Sequence, residues 1–323
     1  AAHAARPPDL MGDAQDDAAD DLHGERDRWS DEAPPAAALR QPGGPPLVVS
    51  DLLGAQQADQ LSDTLGRLGL PCNTHDRWNG GPVWVPAAGA LPVVTLDGGL
   101  RLTLLGPTRP RLLKLCAAWS DVLGGRDEAA PPGHGLPADL LGRRDRWPPV
   151  WQDGEGRDPS AANGSSIMLL AEFDGQALLL AADGHAPDLA AALDRFAQAR
   201  PTWPTGPTGR LKFAGFKLPH HGSEKNLSRA VLDRIDCCRY LISTDGSGHS
   251  HPDHQALLRI LRYAPGQPRL LFNHLGDTTS PWSDMKSDVL AAGFQEYTTE
   301  YPVRPADGLV LELATPAEGA TEA

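Results

Sequence analysis

Apolar residues along the chain alternate between two spacings, and each change of spacing marks the end of an element. Residues 56–68 put Ala58, Leu61, Leu65 and Leu68 on one face of a helix that Gly69 ends. The short apolar runs 46–50, 83–85, 92–95 and 100–105 read as strands, with Asp97-Gly-Gly99 turning between the last two. Residues 111–122 give a helix with Leu112, Leu115, Trp119 and Val122 inward. Two apolar runs then flank Asp174-Gly175, a pair suited to the positive backbone angles of a tight hairpin. A helix with Leu189, Leu193 and Phe196 on one face follows Asp183-Gly-His185, and an apolar strand lies at 211–216. Beyond it the pattern predicts a helix over 227–235, a strand over 239–243, and a helix over 255–263 with Leu257, Leu258 and Leu261 together. A strand over 269–272, a helix over 282–292 and a strand over 308–313 complete the ordered chain. Strands and helices interleave throughout, which argues for a layered α/β domain.

Composition changes this picture at the ends and in the middle. Residues 1–46 carry ten acidic and four basic side chains amid alanine and proline, and read as a disordered acidic arm. Of the formal charge of −13, the arm accounts for −6 and the remainder for −7, so no broad nucleic-acid-binding surface is expected. From 124 to 162 proline, glycine and charge dominate, which predicts a long loop that either covers a site or is disordered. Residues 47–314 are therefore read as one domain, and 315–323 as a disordered tail. With 40 % hydrophobic residues the chain can bury a sizeable core. No apolar run is long enough to cross a bilayer and no secretory signal is visible, so a cytoplasmic location is expected. Cys72, Cys116, Cys237 and Cys238 form no C-x-x-C pair and do not indicate disulfides. The chain begins without methionine, which suits a processed protein or a fragment of a longer one.

Candidate chemistry gathers where strands end. The strand Leu211-Lys-Phe-Ala-Gly-Phe-Lys-Leu runs into Pro219 and presents His220 and His221 on a Gly-Ser turn. Imidazole is the commonest protein ligand for zinc, and a strand end fixes its position, although two loop histidines need not bind anything. The second hairpin strand ends on Asp183, which either caps the following helix or joins these histidines as a ligand. Around the turn Lys212, Lys217, Lys225, Arg229, Arg234 and Arg239 outnumber Glu224, Asp233 and Asp236, a local surplus that favours a small-molecule or nucleotide-like anionic substrate.

The ordered succession Asn163-Gly-Ser-Ser, a hairpin ending in Ala-Ala-Asp183, a helix, Lys217-Leu-Pro-His-His-Gly-Ser223, and a strand followed by a His-Pro loop resembles the C-terminal half of metallo-β-lactamase-fold hydrolases. The nearest branch is that of the hydrolase domain of DNA-uptake competence proteins. The resemblance implies an αββα two-sheet sandwich, and the sequence leaves room for its first strands to be missing here. It also implies one or two zinc ions, or manganese, held by Asp183 and by His220 or His221. Asn163 would orient substrate, and Asp183 and His221 would be catalytic. Hydrolysis of a phosphodiester or similar anionic ester by a metal-held hydroxide is the reaction such a site performs.

One departure matters. The H-x-H-x-D-H motif that supplies most ligands of the first metal in that family is not found in residues 1–162, where His3, His23, His75 and His134 stand isolated. The match in this chain is His249-Ser-His251-Pro-Asp253-His254, downstream of its usual place. Either His249, His251, Asp253 and His254 are ligands, or His251 lines the pocket as part of a His-Pro element and Pro252-Asp253 starts a helix. Three functions follow: a working metallo-hydrolase, the C-terminal part of one, or a degenerate fold that binds without catalysis.

Overall fold

The computed structural model describes residues 60–124, 148–152, 154–247, 249–304 and 307–313. The acidic arm, the strand expected at 46–50, the bulk of the 124–162 loop and the tail after 313 lie outside these residues, as do His3, His23 and His134.

An eight-stranded mixed sheet organises the domain. Its strands are β1 (Val93–Thr95), β2 (Arg101–Gly106), β3 (Met168–Phe173), β4 (Gln176–Leu180), β6 (Gly215–Lys217), β8 (Arg239–Ile242), β9 (Arg269–Phe272) and β10 (Thr298–Glu300), in that spatial order. A separate parallel pair joins β5 (Leu211–Lys212) to β7 (Ile235–Asp236). The helices are α1, described over residues 60–68, α2 (Arg109–Gly124), α3 (Ala161–Gly164), α4 (Ala186–Ala199), α5 (Arg229–Leu232), α6 (His254–Tyr263), α7 (Pro281–Asp284) and α8 (Lys286–Ala291).

Strands β1 to β4 run antiparallel to their neighbours, and β4, β6, β8, β9 and β10 run parallel. The β3–β4 hairpin turns on Asp174 and Gly175 with φ of 47° and 71°, the left-handed pair its sequence predicts. Parallel neighbours need crossovers, and α4, α5 and α6 supply them. The cross-strand row Leu170, Leu179, Phe216, Tyr240 and Leu270 shares one face of the sheet and is buried with Leu189, Leu193 and Phe196 of α4 and Leu257, Leu258 and Leu261 of α6 in a single core. The opposite face carries Leu169, Leu178, Leu180 and Leu241, each only half-buried.

The architecture is therefore mixed α/β, as the interleaved pattern predicts. Several elements differ from the pattern. The run 211–216 divides between two sheets, because Phe213 and Ala214 carry the chain from one to the other. The helix expected over 227–235 shortens to α5 and yields β7, and that over 282–292 breaks at Met285 into α7 and α8. Val85 makes one isolated bridge, to Thr108, instead of a strand, and 308–313 pairs with nothing as a strand among the described residues. The last strand is instead Thr298–Glu300, whose polar side chains give no apolar signal.

Candidate functional site

In a parallel sheet the carboxyl ends of the strands share one rim, and ligands bind there when they bind at all. Three candidate segments meet on it: Asp183 follows β4, His220 and His221 follow β6, and the 249–254 loop follows β8. His274, which the sequence reading did not single out, follows β9 on the same rim.

The turn Pro219–Gly222 is wound against its own preference. His220, His221 and Gly222 have successive φ values of 44°, 58° and 91°, the left-handed region that costs a non-glycine residue about 1–2 kcal/mol. Such strain persists where the surroundings hold it. The His220 amide donates to the Ala182 carbonyl at 2.8 Å, and the Asp253 amide donates to the Gly222 carbonyl at 3.0 Å. Asp253 Oδ2 accepts from the Glu224 amide at 2.8 Å, while Thr278 Oγ1 donates to the His251 carbonyl at 2.8 Å. Hydrogen bonds thus stitch the β4, β6, β8 and β9 loops together. Gly222 is required twice over, since a Cβ there would lie 2.7 Å from Pro252 Cβ.

The rings of His220 and His251 have centroids 5.2 Å apart, those of His220 and His221 6.2 Å, and those of His249 and His251 5.9 Å. The β8 loop and the His-His turn are therefore neighbours, as a shared site demands. Three of the imidazoles are engaged through Nδ1. His220 Nδ1 lies 3.1 Å from Asn226 Oδ1, His221 Nδ1 meets the Ser243 carbonyl, and His251 Nδ1 lies 3.1 Å from Asp253 Oδ1. Each partner is an oxygen acceptor, so each Nδ1 bears hydrogen and each neutral ring carries its lone pair on Nε2.

The other members of the downstream motif divide. Asp253 is the residue before α6 and holds the His251 ring, and the charge and hydrogen bond of His251 outweigh burial to keep its carboxyl below the ordinary 3.8. His254 is not a rim residue: it is buried at the start of α6 with its ring 5.7 Å from that of Trp282. His254 thus stands apart from the His220–His251 contact, its ring against Trp282 at the helix start that Pro252-Asp253 encodes.

Behind His220 lies a buried polar cluster that includes the predicted pocket residue Asn163. Asn163 Nδ2 and Asn226 Nδ2 each donate to Asp158 Oδ2 at 2.8 Å, and the Ser160 amide donates to Asp158 Oδ1 at 2.9 Å. Burial alone would raise the Asp158 carboxyl. The His220 ring and the three donors outweigh it and hold the group well below the usual carboxylate range. For His220 burial opposes the charge, but Asp158, Asp183 and Asn226 prevail and keep the imidazole above 6.5. His185 precedes α4 and is buried, with Nε2 3.9 Å from Asp158 Oδ1 and no hydrogen bond to that atom. Burial pushes its imidazole down, so it is read as neutral and not as an ion-pair partner.

The sequence reading missed Asp158, Asn226 and His185. Ser160 offered one local signal, because its hydroxyl caps α3 by accepting from the Asn163 amide at 3.2 Å. Of the six cations near the turn, Lys217 is half-buried, and its ammonium, which Asp183 raises, is lowered on balance by burial. Arg234 pairs with Asp194 at 2.8 Å and Arg229 with Asp233 at 3.2 Å, while Lys212 lies on β5. The local positive surplus is therefore spread over the domain instead of being concentrated on the rim. Two surface pockets of about 310 and 580 Å³ lie around Arg200 and Trp203, at the amino ends of the parallel strands; they are lined by Arg234 and Lys212 respectively but by none of the candidate histidines or Asp183.

Among the described residues, no group of three His, Cys, Asp or Glu side chains is placed to hold a metal ion as it stands. The donors nonetheless have the right chemistry, with three imidazoles bonded through Nδ1 and the Asp183 carboxylate acting on His220. Also among the described residues, no helix is long and apolar enough to cross a membrane. Compared with known proteins, the chain matches no family model, and no curated protein or solved structure is significantly similar to it.

Proposed function

We propose that the chain is a metal-dependent hydrolase of the metallo-β-lactamase type acting on a phosphodiester or similar anionic ester. The observation that carries the reading is the common arrangement of His220, His221 and His251, neighbours on the rim and each held at Nδ1 by an oxygen acceptor. Metal-binding histidines are characteristically fixed in this way by an acceptor behind them. Asp183, His220, His221 and His251 would hold one zinc or manganese ion, which when bound supplies Lewis acidity at neutral pH. Asn163 flanks His220 and would orient substrate, and Lys217, whose ammonium feels the charge of Asp183, would offer positive charge to an anionic group. The half-buried face of Leu169, Leu178, Leu180 and Leu241 is where the second sheet of an αββα sandwich would pack.

The test is metal stoichiometry and hydrolysis of bis-p-nitrophenyl phosphate by the purified chain, with Asp183→Ala, His220→Ala and His221→Ala alongside. Metal content should fall in the variants and turnover should vanish with chelator. Full metal content in all three variants would sink the assignment. A second reading, a fold that binds without catalysis, is favoured by the lack of a converged three-ligand group among the described residues. A chain with neither bound metal nor turnover of any ester would select it.

A further inference from the structure

We propose that Asp158 is a positioning residue that locks the side-chain amide of Asn226, so that Asn226 fixes the His220 imidazole with hydrogen on Nδ1 and its Nε2 lone pair toward the rim. The use of that lone pair rests on the metal-site reading, whereas the tautomer does not.

Asn226 has no exposed surface, so both ends of its amide must be satisfied within the protein. Its Nδ2 faces three oxygens: Asp158 Oδ2 at 2.8 Å, the Asp183 carbonyl at 3.1 Å and the Gly184 carbonyl at 3.3 Å. A flipped amide would set its own oxygen against all three. The orientation is therefore determined, and the atom 3.1 Å from His220 Nδ1 is the carbonyl oxygen Oδ1, which can only accept. His220 Nδ1 must be the donor.

Of the three oxygens, only Asp158 Oδ2 carries a full charge, and it makes the shortest bond. Asp158 is itself immobilised by the Ser160 amide on Oδ1 and by Asn163 Nδ2 on Oδ2, with its side chain 7 % exposed. It also lies 3.5 Å from His220 Nδ1, so the N–H that Asn226 accepts points into negative potential. Asn163 Nδ2 lies 3.4 Å from the same Nδ1, but a donor facing a donor makes no bond there and leaves Asn163 to Asp158. The effect of this cluster reaches the rim through the ring of His220.

The experiment reads the His220 tautomer directly by long-range ¹H–¹⁵N correlation of the ¹⁵N-labelled full chain. It is recorded at about pH 9, where imidazoles are neutral, with the signal assigned by its loss in His220→Gln. The wild type should show hydrogen on Nδ1. In Asp158→Asn the Asn226 amide can turn, the Nε2–H form should appear, and zinc affinity should drop about 10- to 100-fold, as for other residues behind a ligand. Should Asp158→Asn not fold, Asn163→Ala removes one of the donors that immobilise Asp158 and should shift the tautomer the same way by less. A wild-type ring with hydrogen on Nε2, or a tautomer unmoved in the folded Asp158 or Asn163 variant, overturns the proposal. A tautomer that responds in a protein binding no zinc supports the positioning role and refutes the metal-site reading.

Discussion

Gly222→Ala tests whether the His-His turn and the β8 loop are held against each other. The added methyl meets two obstacles. Gly222 has φ of 91°, so an alanine there incurs the left-handed cost of about 1–2 kcal/mol. Its Cβ would also lie 2.7 Å from Pro252 Cβ, closer than the 3.0 Å that real Cβ contacts essentially never breach. Pro252 is buried between His251 and Asp253, and the Asp253 amide is bonded to the Gly222 carbonyl, so retreat must drag both loops. Overpacking of this kind costs about 1–3 kcal/mol. Gly266 is the control: it has φ of 67° and nothing within 4 Å of the position its Cβ would take. Gly266→Ala should therefore lose only the conformational part, and the gain that alanine brings by restricting the unfolded chain is common to both variants. The difference between them, about 1–3 kcal/mol, isolates the contact. In urea, with a slope of roughly 2–3 kcal/mol per molar for a domain of this size, it appears as a midpoint lower by about 0.3–1.5 M in Gly222→Ala. Equal midpoints would show that the turn and the loop do not press together, and the shared rim would lose its main support.

Two further expectations concern the loop and the carboxylates. His254→Phe should keep whatever metal the wild type binds and remain folded, because the ring packs on Trp282 in the core, whereas His251→Ala should lose metal with little effect on the urea midpoint; the reverse pattern would restore His254 as a ligand. Asp158 and Asp253 are both held below 3.8 in the folded chain, so their contributions to stability are complete above that pH and are lost as pH falls through the lower folded values. Urea midpoints should accordingly fall below about pH 3.8 in the wild type and less steeply in Asp253→Asn; identical slopes would refute this coupling.

What the sequence made legible are the elements whose signal is local. Leu189, Leu193 and Phe196 recur at helical spacing and are buried on α4, and Asp174-Gly175 sets a hairpin by backbone preference alone. His220 and His221 stand out because two imidazoles beside a glycine at a strand end are uncommon. Asp158 and Asn226 give no such sign. Each is one polar residue in a polar stretch, and their roles arise from bonds that span 68 positions between them. The downstream His-x-His-x-Asp-His pattern failed in part for the same reason. Its spacing is satisfied by a loop that leads into a helix, but the helix register sends His254 to Trp282 and leaves Asp253 to hold His251. Residues 298–300 were missed because a polar edge strand has no hydrophobic period to read.

The rim also bears on how many metal ions the proposed site would hold. Strand β2 runs antiparallel to β3 and β3 antiparallel to β4, so β2 points the same way as β4 and its carboxyl end reaches the same rim. That end is Gly106-Pro-Thr-Arg-Pro-Arg111, which offers no imidazole, carboxylate or thiol. Arg111 turns its guanidinium to Asp188 on α4 at 2.8 Å and lowers the neighbouring His185 imidazole further by its charge. The guanidinium is ion-paired with Asp188, and what remains of its field opposes a second divalent ion on this side of the rim. The β4, β6 and β8 positions retain the donors Asp183, His220, His221 and His251. Among the described residues, the proposed ligands therefore lie on one side of the rim and an arginine stands on the other. Titration of the full chain with zinc should saturate at one equivalent, with loss of Asp183, His220 or His251 affecting that equivalent alone. Two equivalents of comparable affinity would show that residues outside the described segments complete a second shell, and would refute the exclusion argued from Arg111.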